Sequence, residues 1–485
     1  MRIQFCGADR TVTGSCHLFE VNGLRVLLDV GMYQGARAEA RVRNAMLPEQ
    51  ASHVDAVILS HGHLDHCGKL PMLIRAGYKG PIYCTPATAE VTRVILSDSA
   101  KIQAEDAEHM NLRTRGPGQT GIQPLYTMDD VSHVLGLFKR VHRSERIDLG
   151  KGVSFTFYNA GHILGSCYVV IEWKEGEKPR KLLFTGDIGR YSTPIIPDPE
   201  DLPGSMDYVI TESTYGTRKH APMADVGPQI LEAVKWCIEK RSRLIIPSFA
   251  LGRTQTMLWY VQRFIDQKLI PPIPMFVDSP MGVDISKIYS QFRDEYDEET
   301  KAAIGTKDLF GMSRVTFASS VQDSKAINKQ SGPCIIIASS PTCEFGRVLH
   351  HLTMSIEKPN DVVLFCGWTP PGTLGRRLQE GVKRVRIYDV WYDVRCQIHI
   401  VAGLSAHADG DELLKFLKPT IQAGTEAYVV HGEPGEAEGF AVRLTGAGMG
   451  RVMVPAQETA VVEGSGRGAG KEMPMQGAPS GGDGD

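Results

Sequence analysis

Apolar residues in the first thirty positions recur in short alternating runs, over 2–7, 16–21 and 24–30, which is the period of strands with one buried face. Asn22-Gly23 separates the last two runs and predicts a hairpin. Residues 56–60 and 82–84 read as further strands, 88–108 carries a long helical period, and a second helix is expected over 129–138. Strands resume at 153–158, 166–173 and 181–185. Hairpins at both ends with helices between predict an α/β sandwich rather than a doubly wound parallel sheet.

After Asp207 the pattern changes to a repeated strand-then-helix rhythm: 208–211 with 228–240, 244–247 with 254–267, 275–277 with 282–293, 314–318 with 321–329, 334–338 with 347–351, and 362–366 with 373–379. Such alternation is the signature of βαβ crossovers and predicts a separate parallel α/β domain. From about Gln397 short strands and helices return, at 398–402, 411–417, 427–430 and 436–444. The expected organisation is a discontinuous first domain, 1–216 and 397–463, an inserted domain, 217–396, and a glycine-rich tail, 464–485, too poor in apolar residues to pack and expected to be disordered.

Composition narrows the partners. The 485-residue chain is 42% hydrophobic with a formal net charge of -3, so it carries no global cationic field and any nucleic-acid contact must be local. The basic runs 139–143, 240–243, 376–377 and 383–386 are available for that, although each also suits a solvated face. Ten cysteines are scattered without a Cys-x-x-Cys pair, which argues against a disulfide framework and a zinc ribbon and suits a reducing compartment. The N-terminus enters a strand at once, and no apolar run approaches the ~20 residues that span a bilayer. A cytoplasmic location without membrane association is expected.

The chemistry concentrates in Ser60-His61-Gly62-His63-Leu64-Asp65-His66, between an apolar strand and a helix start. Imidazole nitrogens and carboxylates suit zinc, and alternate side chains of one loop can serve two ions. The motif alone cannot fill two coordination shells. His162, Asp187 and His431 repeat its logic, each at a strand end and beside glycine.

These motifs, with Gly7-Ala8, Thr11-Val12-Thr13-Gly14-Ser15, Leu28-Asp29-Val30-Gly31, Glu212-Ser213-Thr214-Tyr215-Gly216 and Gly403-Leu404-Ser405-Ala406-His407-Ala408-Asp409, occur in an order that resembles the metallo-β-lactamase fold. The insertion before the closing motifs resembles its β-CASP nuclease family. The resemblance implies an αββα sandwich with an inserted β-CASP cap and two Zn2+ per chain. His61, His63 and His162 would hold one ion and Asp65, His66 and His431 the other, with Asp187 bridging and a shared hydroxide as nucleophile. It further implies Asp29 as an outer carboxylate that fixes the ligand loop, and Glu212 orienting His407 as general acid. Histidine rather than valine at position 431 is the pattern of RNA-directed members. The implied activity is hydrolysis of single-stranded RNA, endonucleolytic or 5′-3′ exonucleolytic, leaving 5′-phosphate and 3′-hydroxyl ends.

Ser248, Arg253, Arg347 and His351 match positions near the family's cleft and are expected at phosphates, with helix capping and packing as the competing account. Pro341 and Cys343 stand where many relatives have Ser-Ser-Gly-Met and a glycine-rich link, in a loop expected to face the cleft. Two other readings stay open: a hydrolase of this fold acting on DNA or a small ester, and an RNA-binding pseudonuclease subunit. A homodimer is equally open.

Overall fold

The computed structural model describes residues 1–35, 37–114, 121–304, 310, 313–367, 369–456 and 460–462; the expected tail, 464–485, lies outside the described residues. Two seven-stranded sheets face one another. In the first, the order is Ala460–Val462, Arg2–Gly7, Cys16–Val21, Leu24–Leu28, Ala56–Ile58, Ile82–Cys84, Phe138–Arg140. In the second it is Arg451–Met453, Glu426–Val429, Tyr208–Thr211, Lys178–Phe184, Cys167–Glu175, Val153–Asn159, Arg146–Gly150. The Asn22-Gly23 hairpin forms as expected, with φ of 51° and 72°, the left-handed pair a two-residue turn needs.

Alternation decides what packs where. Phe5, Phe19, Val26, Leu28, Phe155, Phe157, Val169, Ile171 and Ile210 point between the sheets and form one buried cluster. Their neighbours one residue away, among them Leu18, Leu27 and Val57 on one sheet and Tyr168, Val170 and Val209 on the other, pack outward against helices. Four layers result, helix, sheet, sheet, helix.

The strands that carry the motifs share a direction. Cys167–Glu175 is antiparallel to Val153–Asn159 and to Lys178–Phe184, while Lys178–Phe184, Tyr208–Thr211 and Glu426–Val429 are mutually parallel. The residues after four of these strands therefore emerge at one edge of the sandwich: His162, Asp187, Glu212 and His431.

The inserted segment forms a six-stranded, wholly parallel sheet in the order Val315–Phe317, Met275–Asp278, Cys334–Ala338, Arg243–Pro247, Val362–Phe365, Gln397–Ile400. The strand Gln397–Ile400, expected to open the returning segment of the first domain, instead pairs in parallel with Val362–Phe365 as an edge of the cap sheet. Its alternation was readable, but pattern does not name a partner strand. The chain leaves the cap only after Val401. Strands over 138–140, 146–150, 384–387, 390–393 and 451–453 are short or half-exposed and too weakly patterned to be foreseen. No helix among the described residues is long and apolar enough to cross a membrane.

Candidate metal centre and proton donor

Glycine lets the ligand loop close. Asp65 O accepts from Ser15 N at 2.8 Å, His66 O from Val30 N at 2.9 Å and Leu64 O from Met32 N at 3.1 Å, which ties the loop to the turn after Leu28. A Cβ at Gly31 would lie 1.6 Å from Asp65 O, so no other residue fits there. Within that turn Asp29 is left-handed, φ 58°, a conformation aspartate tolerates and its fully buried carboxylate helps to fix.

That carboxylate orients two imidazoles. His66 Nδ1–H donates to Asp29 Oδ2 at 2.6 Å. Ser60 N donates to Asp29 Oδ1 at 2.8 Å and Ser60 Oγ to Oδ2 at 2.9 Å, so the same hydroxyl accepts from His61 Nδ1–H at 3.0 Å. Both rings are left with Nε2 directed inward. His162 is set in the same way by the Ala406 carbonyl, 3.2 Å from its Nδ1. Removal of the Asp29 carboxylate, as in Asp29→Ala, is expected to weaken metal affinity 10–100-fold, the usual cost of an outer-shell partner. Competition with a chromophoric chelator measures it, and unchanged affinity would rule out this orienting role.

The inward atoms converge in two histidine-rich sets, with a third group, Asp187, Glu212 and His407, beside them. Donor atoms of His61, His63, His162 and Asp187 all lie within 4.8 Å of one another, as do those of Asp65, His66 and His431. His63 Nδ1 stands 3.1 Å from His61 Nε2 and 3.2 Å from His162 Nε2, and His66 Nε2 is 3.3 Å from His431 Nε2. Nitrogens held at 2.0–2.1 Å by a tetrahedral ion stand roughly 3.3 Å apart. Asp187 Oδ2 sits between the sets, 3.4 Å from His61 Nε2, 3.3 Å from His66 Nε2 and 3.6 Å from His162 Nε2. Its Oδ1 is buried without a hydrogen bond. Facing ring nitrogens and an unsatisfied buried carboxylate oxygen are what a cation between them would resolve.

Electrostatics divides the imidazoles. Burial pushes His61 and His162 well below the usual histidine range, and His63 down to about 4, so they are neutral donors at pH 7. For His407, burial also works against the charged form, but Glu212 and Asp187 outweigh it and lift the pKa to about 9. His407 Nδ1 lies 3.1 Å from Glu212 Oε2 and 3.8 Å from Asp187 Oδ2. Glu212 is fixed in turn by Ile188 N, which donates to its Oε1 at 2.6 Å. The arrangement provides a protonated imidazole beside the metal-ligand cluster.

Arg190 and His220, which position this donor, carried no legible signal. Arg190, nearly buried, donates to the Gly403 and Ala221 carbonyls and pairs with Glu412 at 3.4 Å, which clamps the loop before His407. His220 donates from Nε2 to the His407 carbonyl at 3.2 Å and meets Tyr215 edge-on at 4.6 Å between ring centroids. Thr214 Oγ1 is 3.2 Å from His431 Nδ1.

Of the four expected phosphate contacts, the structure removes three. His351 is fully buried, with Nε2 2.7 Å from Asp278 Oδ2 and Nδ1 3.1 Å from Asn328 Oδ1. Arg347 spends its guanidinium on Asp278 Oδ1 at 2.6 Å and on the Ala318 and Ser319 carbonyls. Both satisfy a buried aspartate of the cap. Ser248 is buried too, its hydroxyl donating to the Phe249 carbonyl at 3.1 Å. Arg253 stays available: its half-buried guanidinium has no hydrogen-bond or ion-pair partner among the described residues, and Tyr215 and Cys366 are close enough to influence its charge. The loop with Pro341 and Cys343 does not face the cleft as a whole, since Cys343 turns fully into the cap core.

Comparison with known proteins agrees with this architecture. Residues 18–187 match the metallo-beta-lactamase superfamily domain, 254–378 the Beta-Casp domain, and 391–455 the Zn-dependent metallo-hydrolase RNA specificity domain. Ribonuclease TTHA0252 of Thermus thermophilus is 35% identical over 434 residues, 89% of this chain and 93% of its own length. The chain belongs to the β-CASP family of the metallo-β-lactamase superfamily. As a β-CASP protein it is a metal-dependent hydrolase. It is also 29% identical over 452 residues to an RNase J-like protein of Methanocaldococcus jannaschii, covering 91% of this chain and 95% of that one. Cleavage and polyadenylation specificity factor 73 of Drosophila melanogaster is 28% identical over 442 residues, 90% of this β-CASP chain and 60% of the relative. A crystal structure of a protein of unknown function from Enterococcus faecalis V583 shares the fold, with a TM-score of 0.53 at 12% identity, over 95% of this chain and 99% of that one.

Proposed function

We propose that the chain is a ribonuclease that hydrolyses phosphodiester bonds of single-stranded RNA with two zinc ions. His61, His63 and His162 would hold one ion, Asp65, His66 and His431 the other, and Asp187 both. When bound, such a pair supplies a water of lowered pKa and stabilises the charge that develops on the phosphoryl oxygens. The segment from about residue 217 to the strand Gln397–Ile400 acts as the cap over this centre.

The observation that carries the reading is the Glu212–His407 pair, 3.1 Å apart and directly beside the ligand cluster. A metal centre alone suits many hydrolyses. An imidazolium held by a buried carboxylate adds a proton for a poor leaving group such as the O3′ of a nucleotide. His407 gives that proton to the leaving oxygen, and Glu212 holds the ring and stabilises its charge until transfer. Arg253, unpartnered and partly desolvated, offers a guanidinium to the phosphate next to the scissile one. The metal-ligand sets are complete in the chain, which disfavours a pseudonuclease.

Labelled RNA and DNA of matched sequence, incubated with the zinc-loaded protein, test the proposal. Cleavage of RNA, with about two zinc ions bound per chain, is the expected result. Cleavage of DNA alone would favour a same-fold nuclease of the other polymer. Product ends on one circular and one linear RNA then separate internal cutting from 5′-3′ degradation.

A further inference from the structure

We infer that Phe249 and Phe345 form a base-stacking rim at the entrance to the metal centre, where unpaired nucleotides flanking the scissile bond are held by their rings. This rests on the ribonuclease reading above. Phe249 is 64% exposed and Phe345 66%, large apolar areas left in water. Tyr388 and Trp391 are also exposed, but Tyr388 lies against His350 at 5.1 Å between centroids and Trp391 beneath Arg384 at 5.5 Å. Neither phenylalanine has an aromatic or cationic partner among the described residues.

Topology brings the two loops to one edge of the cap sheet. Strands Arg243–Pro247 and Cys334–Ala338 are parallel neighbours with Pro247 opposite Ala338, and Ser248 N donates to Ala338 O at 3.0 Å. The loops bearing Phe249 and Phe345 therefore leave the same edge of the cap sheet side by side. That edge faces the metal-ligand cluster: a Cβ built on Gly252 would lie 3.7 Å from Ile163, the residue after His162. Arg253, the free guanidinium, begins the helix Arg253–Asp266 on the loop of Phe249.

Both loops are held, so the rings are presented rather than loosely attached. The Phe249 carbonyl accepts from Thr254 Oγ1 at 2.7 Å and from Thr254 N at 3.3 Å. Around Phe345, Cys343 is buried, Glu344 accepts from Leu374 N, and Gly346 O accepts from Leu349 N at 3.4 Å. A fixed, exposed ring beside a free arginine is the pairing that single-stranded nucleic acid uses, base on aromatic face and phosphate on guanidinium. Every base has a π-face, so the rim would be indifferent to sequence. Bases inside a duplex are already stacked, so it would favour unpaired segments.

The test is a cycle between protein and substrate. Phe249→Ala and Phe345→Ala are each expected to lower kcat/KM on an unstructured oligoribonucleotide ~10-fold, the scale of one base on one ring. The loss should shrink to about 2-fold or less on the same oligonucleotide with abasic residues flanking the cut, since no base remains to stack. Phe249→Tyr and Phe345→Tyr should recover most of the rate. Equal rates for wild type and both alanine variants, or the same loss on intact and abasic RNA, would overturn the inference and leave the ribonuclease reading standing. No cleavage of either RNA by the wild type would overturn both.

Discussion

Replacing His407 by alanine is expected to slow RNA cleavage ~10²–10⁴-fold, the span of a lost general acid, while leaving the bound metal unchanged. The side chain belongs to neither of the two histidine-rich sets around His63 and His66, so under the proposed ligand assignment its removal would break no coordination shell. Single-turnover cleavage and metal analysis of the same preparation check this. Metal loss in His407→Ala would make the residue a ligand rather than an acid. The pH profile adds a second reading. With its pKa lifted to about 9, against the effect of burial, His407 keeps its proton through neutral pH and the rate should fall as pH rises past that value. Glu212→Gln removes the carboxylate that most opposes burial, so the alkaline limb should move to lower pH. An unmoved limb would assign it to another group.

The larger effect belongs to Asp187. Its Oδ2 stands 3.3 Å from His66 Nε2 and 3.4 Å from His61 Nε2, between the two sets, so Asp187→Ala takes a ligand from both at once. Bound metal should drop from about two ions to one or fewer, and the rate by ~10⁴-fold or more, because several kcal/mol of charge stabilisation and the activated water go together. Melting curves of the variant with and without metal separate loss of the ligand from loss of the fold. A fully metallated Asp187→Ala variant would contradict the bridging placement.

What could be read in the chain, and what could not, follows from the range of each interaction. The Asn22-Gly23 turn and the ligand loop are local, and spacing alone exposes them. So are the strand-end positions of His162, Asp187 and His431, whereas the role of Asp29 was legible only through the family resemblance, since its partners Ser60 and His66 lie 31 and 37 residues away. Arg347 and His351 failed because their partner, Asp278, lies about seventy residues upstream, with sequence separations of 69 and 73. A cleft arginine and a packing arginine look alike until that partner is found. Arg190 was missed for the same reason, since its carbonyl acceptors at 403 and 221 become neighbours only when the cap closes over the sandwich. Gln397–Ile400 has a clear strand pattern, yet which of two sheets recruits it depends on the free edge at Val362–Phe365.

The pairing of His66 with His431 spans 365 residues, and this sets an order of events during synthesis. His61, His63, His162 and Asp187 are all present once the ribosome has passed residue 187, but Asp65 and His66 wait for the whole cap to be translated before their third ligand arrives. A polypeptide that stalls or is clipped before His431 lacks one donor of the Asp65 and His66 set. Since ion binding to the native state adds to its stability by mass action, chains that bind both ions would gain a resistance to proteolysis that shorter ones lack. Under the two-ion reading, metal content would report whether the chain extends through His431.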